Sequence, residues 1–111
     1  MKEAIITKDG EGRFIMEGEE CTQVHCHTDK LIFATSTLLP GQKASLDKGH
    51  KDAHEICYVI EGTIIMHLPN KGKYYRLEKG SSIIIPQGES HYSINVGEVT
   101  SITAWACAPH L

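Results

Sequence analysis

Short runs of apolar and β-branched residues recur along this chain, broken by polar turns, with the period of two that marks half-buried strands. The clearest are "KLIFATSTLL", "EICYVI", "TIIMHL", "KYYRL", "SIIIP", "HYSINV" and "TSITAWACA", rich in Ile, Val, Thr and Tyr. Turn-forming stretches separate them: "PGQ", "EG", "PNKGK", "EKG", "PQGES" and "VGE". "PNKG" reads as a hairpin loop between two of the runs. Nearer the N-terminus, "EAIIT", "RFIM" and "TQVHCH" predict further strands around polar turns. No window sustains a helical period of apolar residues. Strands at this spacing predict an all-β protein, an antiparallel sandwich or barrel.

A length of 111 residues, with 41% apolar and 23% charged residues, suits one ordinary globular domain covering 1–111. The formal charge of −3 is small, and Lys and Arg are scattered. This argues against nucleic acid or an anionic membrane as partner. No apolar run approaches the roughly 18 residues of a membrane helix. The start, "MKEAIITKDGEGR", lacks the apolar stretch of a signal peptide, so a cytoplasmic location is expected. The four cysteines have no CxxC spacing and read as free thiols in a reducing compartment. Cys57 and Cys107 fall inside apolar runs and read as small core residues.

Chemistry concentrates in "DKGHKDAHEICYVIEG", where Asp47, His50, His54 and Glu55 crowd the start of a strand. Strand parity separates them. If Glu55 points into the protein, so do Cys57 and Val59, while His54, Ile56 and Tyr58 point out unless a bulge intervenes. His50 precedes the strand and is free to turn inward. A second stretch, "GSSIIIPQGESHYSIN", is a strand stopped by Pro86, a turn made permissive by Gly88, and a strand that sends His91, Ser93 and Asn95 to one face.

That second stretch resembles the second motif of the cupin family, G-x5-P-x-G-x2-H-x3-N, at Gly80, Pro86, Gly88, His91 and Asn95. The family's first motif, G-x5-H-x-H-x3/4-E-x6-G, is matched in part. Glu55 and Gly62 have its spacing, His50 suits its second histidine, and Lys48 stands where the first histidine belongs. Gly41 corresponds to its opening glycine only with an insertion before His50. The resemblance implies an antiparallel double-stranded β-helix, a jelly-roll barrel. Its N-terminal strands would lie in 1–30, its motifs in 40–95 and its closing strand in 100–107.

It further implies that His50, Glu55 and His91 hold a divalent transition metal, Fe, Mn, Ni or Zn, with open coordination positions. Asp47, an oxygen donor, and His54, reached through a bulge, are additional candidates. Lys48, an ammonium, is a poor ligand. The activity implied is a metal-dependent oxygenase, isomerase, lyase or decarboxylase acting on a small organic acid or similar molecule. The alternative is a non-catalytic barrel that binds or senses a small ligand. Cys57, Tyr58, Tyr92 and Trp105 are candidates to line the pocket, the aromatics being equally suited to packing or to a dimer face. A homodimer is expected. Cys21, His25 and His27 share one strand parity and resemble a soft-metal site, but lie a whole strand before Glu55. His67 and His110 read as structural. No serine-histidine-acid order surrounds Ser93, and no phosphate-binding loop is present.

Overall fold

The computed structural model of the protein describes residues 3–109, so His110 lies outside the described residues. Nine strands follow one another: β1 (Arg13–Glu17), β2 (Glu20–His27), β3 (Ile32–Leu38), β4 (His54–Glu61), β5 (Thr63–Leu68), β6 (Lys73–Glu78), β7 (Ser82–Ile85), β8 (Tyr92–Asn95) and β9 (Ser101–Ala108). They form a six-stranded sheet in the order β1-β2-β3-β9-β4-β7 and a three-stranded sheet in the order β6-β5-β8. Every pairing is antiparallel. This is the double-stranded β-helix. "PNKG" is a single 3₁₀ turn, Pro69–Lys71, ended by Gly72 in the left-handed conformation. "EAIIT" is not a strand: the chain runs irregularly there and first pairs at Arg13. Ile5 and Ile6 are 72% and 82% exposed, so the apolar pair has no sheet face to bury itself on.

The segment Lys43–Asp47 links the two sheets. Lys43 bridges Ile94 and Asp47 bridges His91 on the β8 side, while Ala44 bridges Gly18 in the β1–β2 turn. Alternation along β4 follows, with Glu55, Cys57 and Val59 buried and His54, Ile56, Tyr58 and Ile60 exposed. The inward residues of β4, β5, β6 and β7 make the main core: Cys57, Val59, Ile64, Met66, Leu68, Leu77 and Ile85, with Ile83 and Trp105 packed against it. A smaller cluster holds Val24, Ile32, Ala53 and Cys107. The apolar core thus fills one part of the barrel, and the β1–β2–β3 side is left for something else.

Asn95, the last residue of the second motif, is 1% exposed and ties three segments together. Its amide donates to the Leu38 and Val99 carbonyls at 2.8 and 2.9 Å, and its oxygen accepts the Gly97 N–H at 2.9 Å. Replacing it by alanine leaves buried backbone groups unpaired. Asn95→Ala is expected to lower the unfolding free energy in urea by roughly 2–4 kcal/mol.

Candidate metal centre

Three elements bring the polar residues of the two motifs together. Glu55 comes from the inward face of β4, His91 from the residue before β8, and Asp47 and His50 from the segment between β3 and β4. Two backbone hydrogen bonds, Asp47 N to His91 O and His91 N to Asp47 O, both 2.8 Å, fix that segment beside β8. The His50 carbonyl accepts the Gly88 N–H at 2.9 Å, which joins the segment to the turn of the second motif. Gly49 makes the local kink. Its φ is +85°, and a Cβ there would stand 2.7 Å from the Glu89 backbone N and O. Its N–H also donates to Asp47 Oδ1 at 2.8 Å, which aims the other carboxylate oxygen at the histidines.

Four side chains converge. His91 Nε2 lies 2.9 Å from Glu55 Oε1, and His50 Nε2 lies 3.5 Å from Glu55 Oε2. Asp47 Oδ2 is 3.8 Å from both Nε2 atoms. The second nitrogen of His91 faces the Glu89 carbonyl oxygen at 3.0 Å, which orients the ring, and Trp105 stacks on it with centroids 5.7 Å apart. Cys107 Sγ donates to Glu55 Oε2 at 3.2 Å. Among the described residues, Glu55 Oε1 is the one buried side-chain polar atom without an aligned hydrogen bond: the close approach of His91 Nε2 does not put an N–H on line with it. Such an atom calls for a cation, which either a protonated His91 at 2.9 Å or a metal ion supplies. The two imidazole nitrogens and the carboxylates of Glu55 and Asp47 together are a fitting donor set for a divalent transition metal.

Burial raises the Glu55 carboxyl, but His91, the Cys107 thiol and His50 outweigh it, and the group is held below its ordinary value. For His91 burial works against the charge, and Glu55, the Glu89 carbonyl and Asp47 reverse that and push it up. Burial and the Glu55 carboxylate push the Cys107 thiol up.

The cluster opens on a cavity of about 260 Å³. Its remaining wall comes from β1, β2 and β3: Glu17, Glu20, Thr22, Val24, Ile32, Ala34 and Ser36, with Arg13 and His27 also reaching it. Sequence reasoning missed the two glutamates. Glu20 is 7% exposed and accepts a long hydrogen bond, 3.4 Å, from Ser93 Oγ. Burial, reinforced by Glu17, pushes its carboxyl up to about 7. Burial and Asp47 likewise raise Glu17. The alternation Glu20, Thr22, Val24 along β2 was the available signal.

The remaining candidates fall elsewhere, and several expectations need correction. His54 is exposed on the outer face of β4 beside Ala108; the irregularity in that strand pair lies at Val59/Glu61, too far along to turn it inward. Tyr58 points outward and is 47% exposed, and Cys57 is sealed in the packed core, so neither lines the cavity. Trp105 and Tyr92 both do, although the Tyr92 ring stacks on His67 at 4.7 Å. Cys21, His25 and His27 do not share a face. A bulge between Val24 and Cys26 shifts the register, turning His27 to the cavity and leaving His25 on the outer face, bonded to Thr35 Oγ1 at 2.7 Å.

The same arrangement of strands occurs in other proteins. KdgF from Halomonas sp. superposes with a TM-score of 0.79 at 19% identity, over 96% of each chain. A protein described as a predicted oxalate decarboxylase from Thermotoga maritima gives 0.79 at 21% identity, over 96% of this chain and 99% of that one. The polyketide cyclase RemF from Streptomyces resistomycificus gives 0.75 at 22% identity, over 97% and 80%. At such identities the likeness is one of fold. No match appears among curated protein sequences. The family model described as "Cupin domain" matches residues 34–106, from β3 to β9, a stretch that contains Asp47, His50, Glu55 and His91. On that match and that fold, the chain belongs to the cupin family.

Proposed function

We propose that this cupin holds a divalent transition metal, Fe, Mn, Ni or Zn, on His50, Glu55 and His91 with Asp47 beside them. On this reading it is a metal-dependent enzyme, an oxygenase, isomerase, lyase or decarboxylase, for a small organic acid or similar oxygenated molecule. The observation that carries the reading is the Glu55 carboxylate, its buried Oε1 without an aligned donor and 2.9 Å from His91 Nε2. Its Oε2 is 3.5 Å from His50 Nε2, with Asp47 Oδ2 3.8 Å from both nitrogens. When bound, the metal would polarise a carbonyl, carboxylate or hydroxyl of the ligand. His91 is oriented for this by the Glu89 carbonyl and Trp105, and Asp47 by the Gly49 N–H.

The cavity sets the size of the ligand. Its 260 Å³ corresponds to roughly nine water molecules at liquid density. That is below the range of about 300–1,000 Å³ common for drug-sized ligands. Val24, Ile32, Ala34 and Trp105 supply apolar wall, and Glu20, its carboxyl raised to about 7, can hold a proton or release it to a bound molecule. A second reading, a metal-free small-ligand-binding module, is favoured by one feature: Lys48, where the family has its first histidine, is exposed.

The partner proposed is a second copy of the chain, docked on the outer face of the six-stranded sheet. Ile84, Ile56, Ala106 and Phe33 stand there in one register row across β7, β4, β9 and β3, a largely exposed apolar stripe. The four free cysteines suit the cytoplasmic location proposed.

Elemental analysis of untagged protein is expected to find a stoichiometric transition metal that His91→Ala loses while its circular dichroism stays that of a β-protein. Metal-free wild-type protein with a bound small molecule would turn the assignment to the second reading. Light scattering should give a dimeric mass at micromolar concentration, and Ile56→Lys a monomeric one; a monomeric wild type would exclude the sheet-face contact.

Glu20 gives a pH test in chelator-treated protein. Below about 4.5 it is protonated both folded and unfolded and contributes nothing. As pH rises through 4.5 to 7 the unfolded chain ionises first, so folding becomes costlier, and above 7 the full cost applies. Glu20→Gln is therefore expected to be more stable than wild type by up to about 3 kcal/mol at pH 8, with the difference vanishing at pH 4.

A further inference from the structure

We infer that Cys107 is a metal ligand, its sulfur joining His50 and Glu55 from the neighbouring strand β9 of the same sheet. The inference rests on the metal reading above and adds a donor to it. Cys107 is the direct cross-strand partner of Glu55 in the β4–β9 register, and both are buried on the inward face. Its sulfur points at the site, 3.2 Å from Glu55 Oε2. One donor atom each from His50, Glu55 and Cys107 lies within 4.8 Å of the others. An ion held at about 2.0–2.3 Å from N, O and S needs donors no more than about 4.6 Å apart, so a shift of a few tenths of an ångström closes the set.

A second observation points to the same place. The other oxygen of that carboxylate, Glu55 Oε1, is the buried atom without an aligned donor, 2.9 Å from His91 Nε2, and Glu55 also belongs to a second group with Asp47 and His91. Glu55 is thus shared between an all-N/O set and a set containing sulfur. The family's first histidine is replaced by the exposed Lys48, which cannot reach inward, so the coordination sphere has room for a donor from elsewhere.

No other cysteine fits. Cys57, two residues further along the face from Glu55, is sealed in the packed core, and Cys21 and Cys26 do not line the cavity. Coordination breaks the S–H bond and forms a metal–sulfur bond, and the proton leaves through the cavity to solvent, with no change of oxidation state. A thiolate in the set biases it toward Zn(II) and Co(II) over Mn(II).

The test is cobalt substitution. Protein stripped with chelator and reloaded with one equivalent of Co(II) should show an intense near-ultraviolet sulfur-to-cobalt charge-transfer band. Cys107→Ser should lose that band while keeping the visible d–d bands of bound Co(II), and the control Cys21→Ser should keep both. Co(II) uptake without the charge-transfer band overturns the inference and leaves the metal reading standing. Persistence of the band in Cys107→Ser overturns it too, since the sulfur would be another. Absence of Co(II) uptake overturns both. If Cys107→Ser does not fold, X-ray absorption of Zn(II)-loaded Cys21→Ser/Cys26→Ser decides. One sulfur at about 2.3 Å supports Cys107, and a shell of N and O alone overturns it.

Discussion

The pair of backbone hydrogen bonds between Asp47 and His91 is the constraint on which the site depends. The first motif delivers Asp47 and His50 on an irregular segment, which by itself would have no reason to hold one position. The second motif delivers His91 at the head of a regular strand. Exchanging N–H and C=O groups across 2.8 Å makes the irregular segment an extra rung of the β8 sheet, and Gly88 N to His50 O adds another tie. Backbone groups hold this junction, so the side chains of Asp47, His50 and His91 remain free to face one another. The φ of +85° at Gly49 and its contact with Glu89 belong to the same junction: only a residue without Cβ passes between the two.

Charge distribution follows from placing four carboxyls, Glu17, Glu20, Asp47 and Glu55, around one small cavity. Their surroundings push them apart. Glu55 has imidazole and thiol neighbours and is held ionised, whereas Glu20 has a serine hydroxyl and another glutamate for company and holds its proton toward neutrality. Carboxyls driven in opposite directions within one cavity are what a site needs when one group must bind a cation and another must trade a proton.

Much of this was legible in the chain. The alternation in "EICYVI" and "HYSIN" placed Glu55, His91, Ser93 and Asn95 on inward faces, and the turn at Pro86–Gly88 marked where β8 begins. The strand parity that sends His54 outward was likewise readable, because β4 is regular at that end. What could not be read were departures from regularity and contacts across long separations. The bulge in β2 has no Gly or Pro to announce it, so His25 and His27 looked like neighbours on one face. "EAIIT" has strand composition but no partner strand, and propensity without pairing leaves it irregular. The approach of Cys107 to Glu55 spans 52 residues and depends on β9 lying between β3 and β4, a matter of topology rather than local pattern.

The bulge between Val24 and Cys26 has a consequence for how this cavity can change. One extra residue sets which side chains beyond it face inward: Cys26 lies outside and His27 reaches the cavity. Straightening the strand with every residue kept restores plain alternation and exchanges the two, putting a thiol where an imidazole was, whereas deleting the extra residue His25 leaves both facings as they are. The chemistry of that wall is therefore set by whether the strand bulges as much as by which residues it carries.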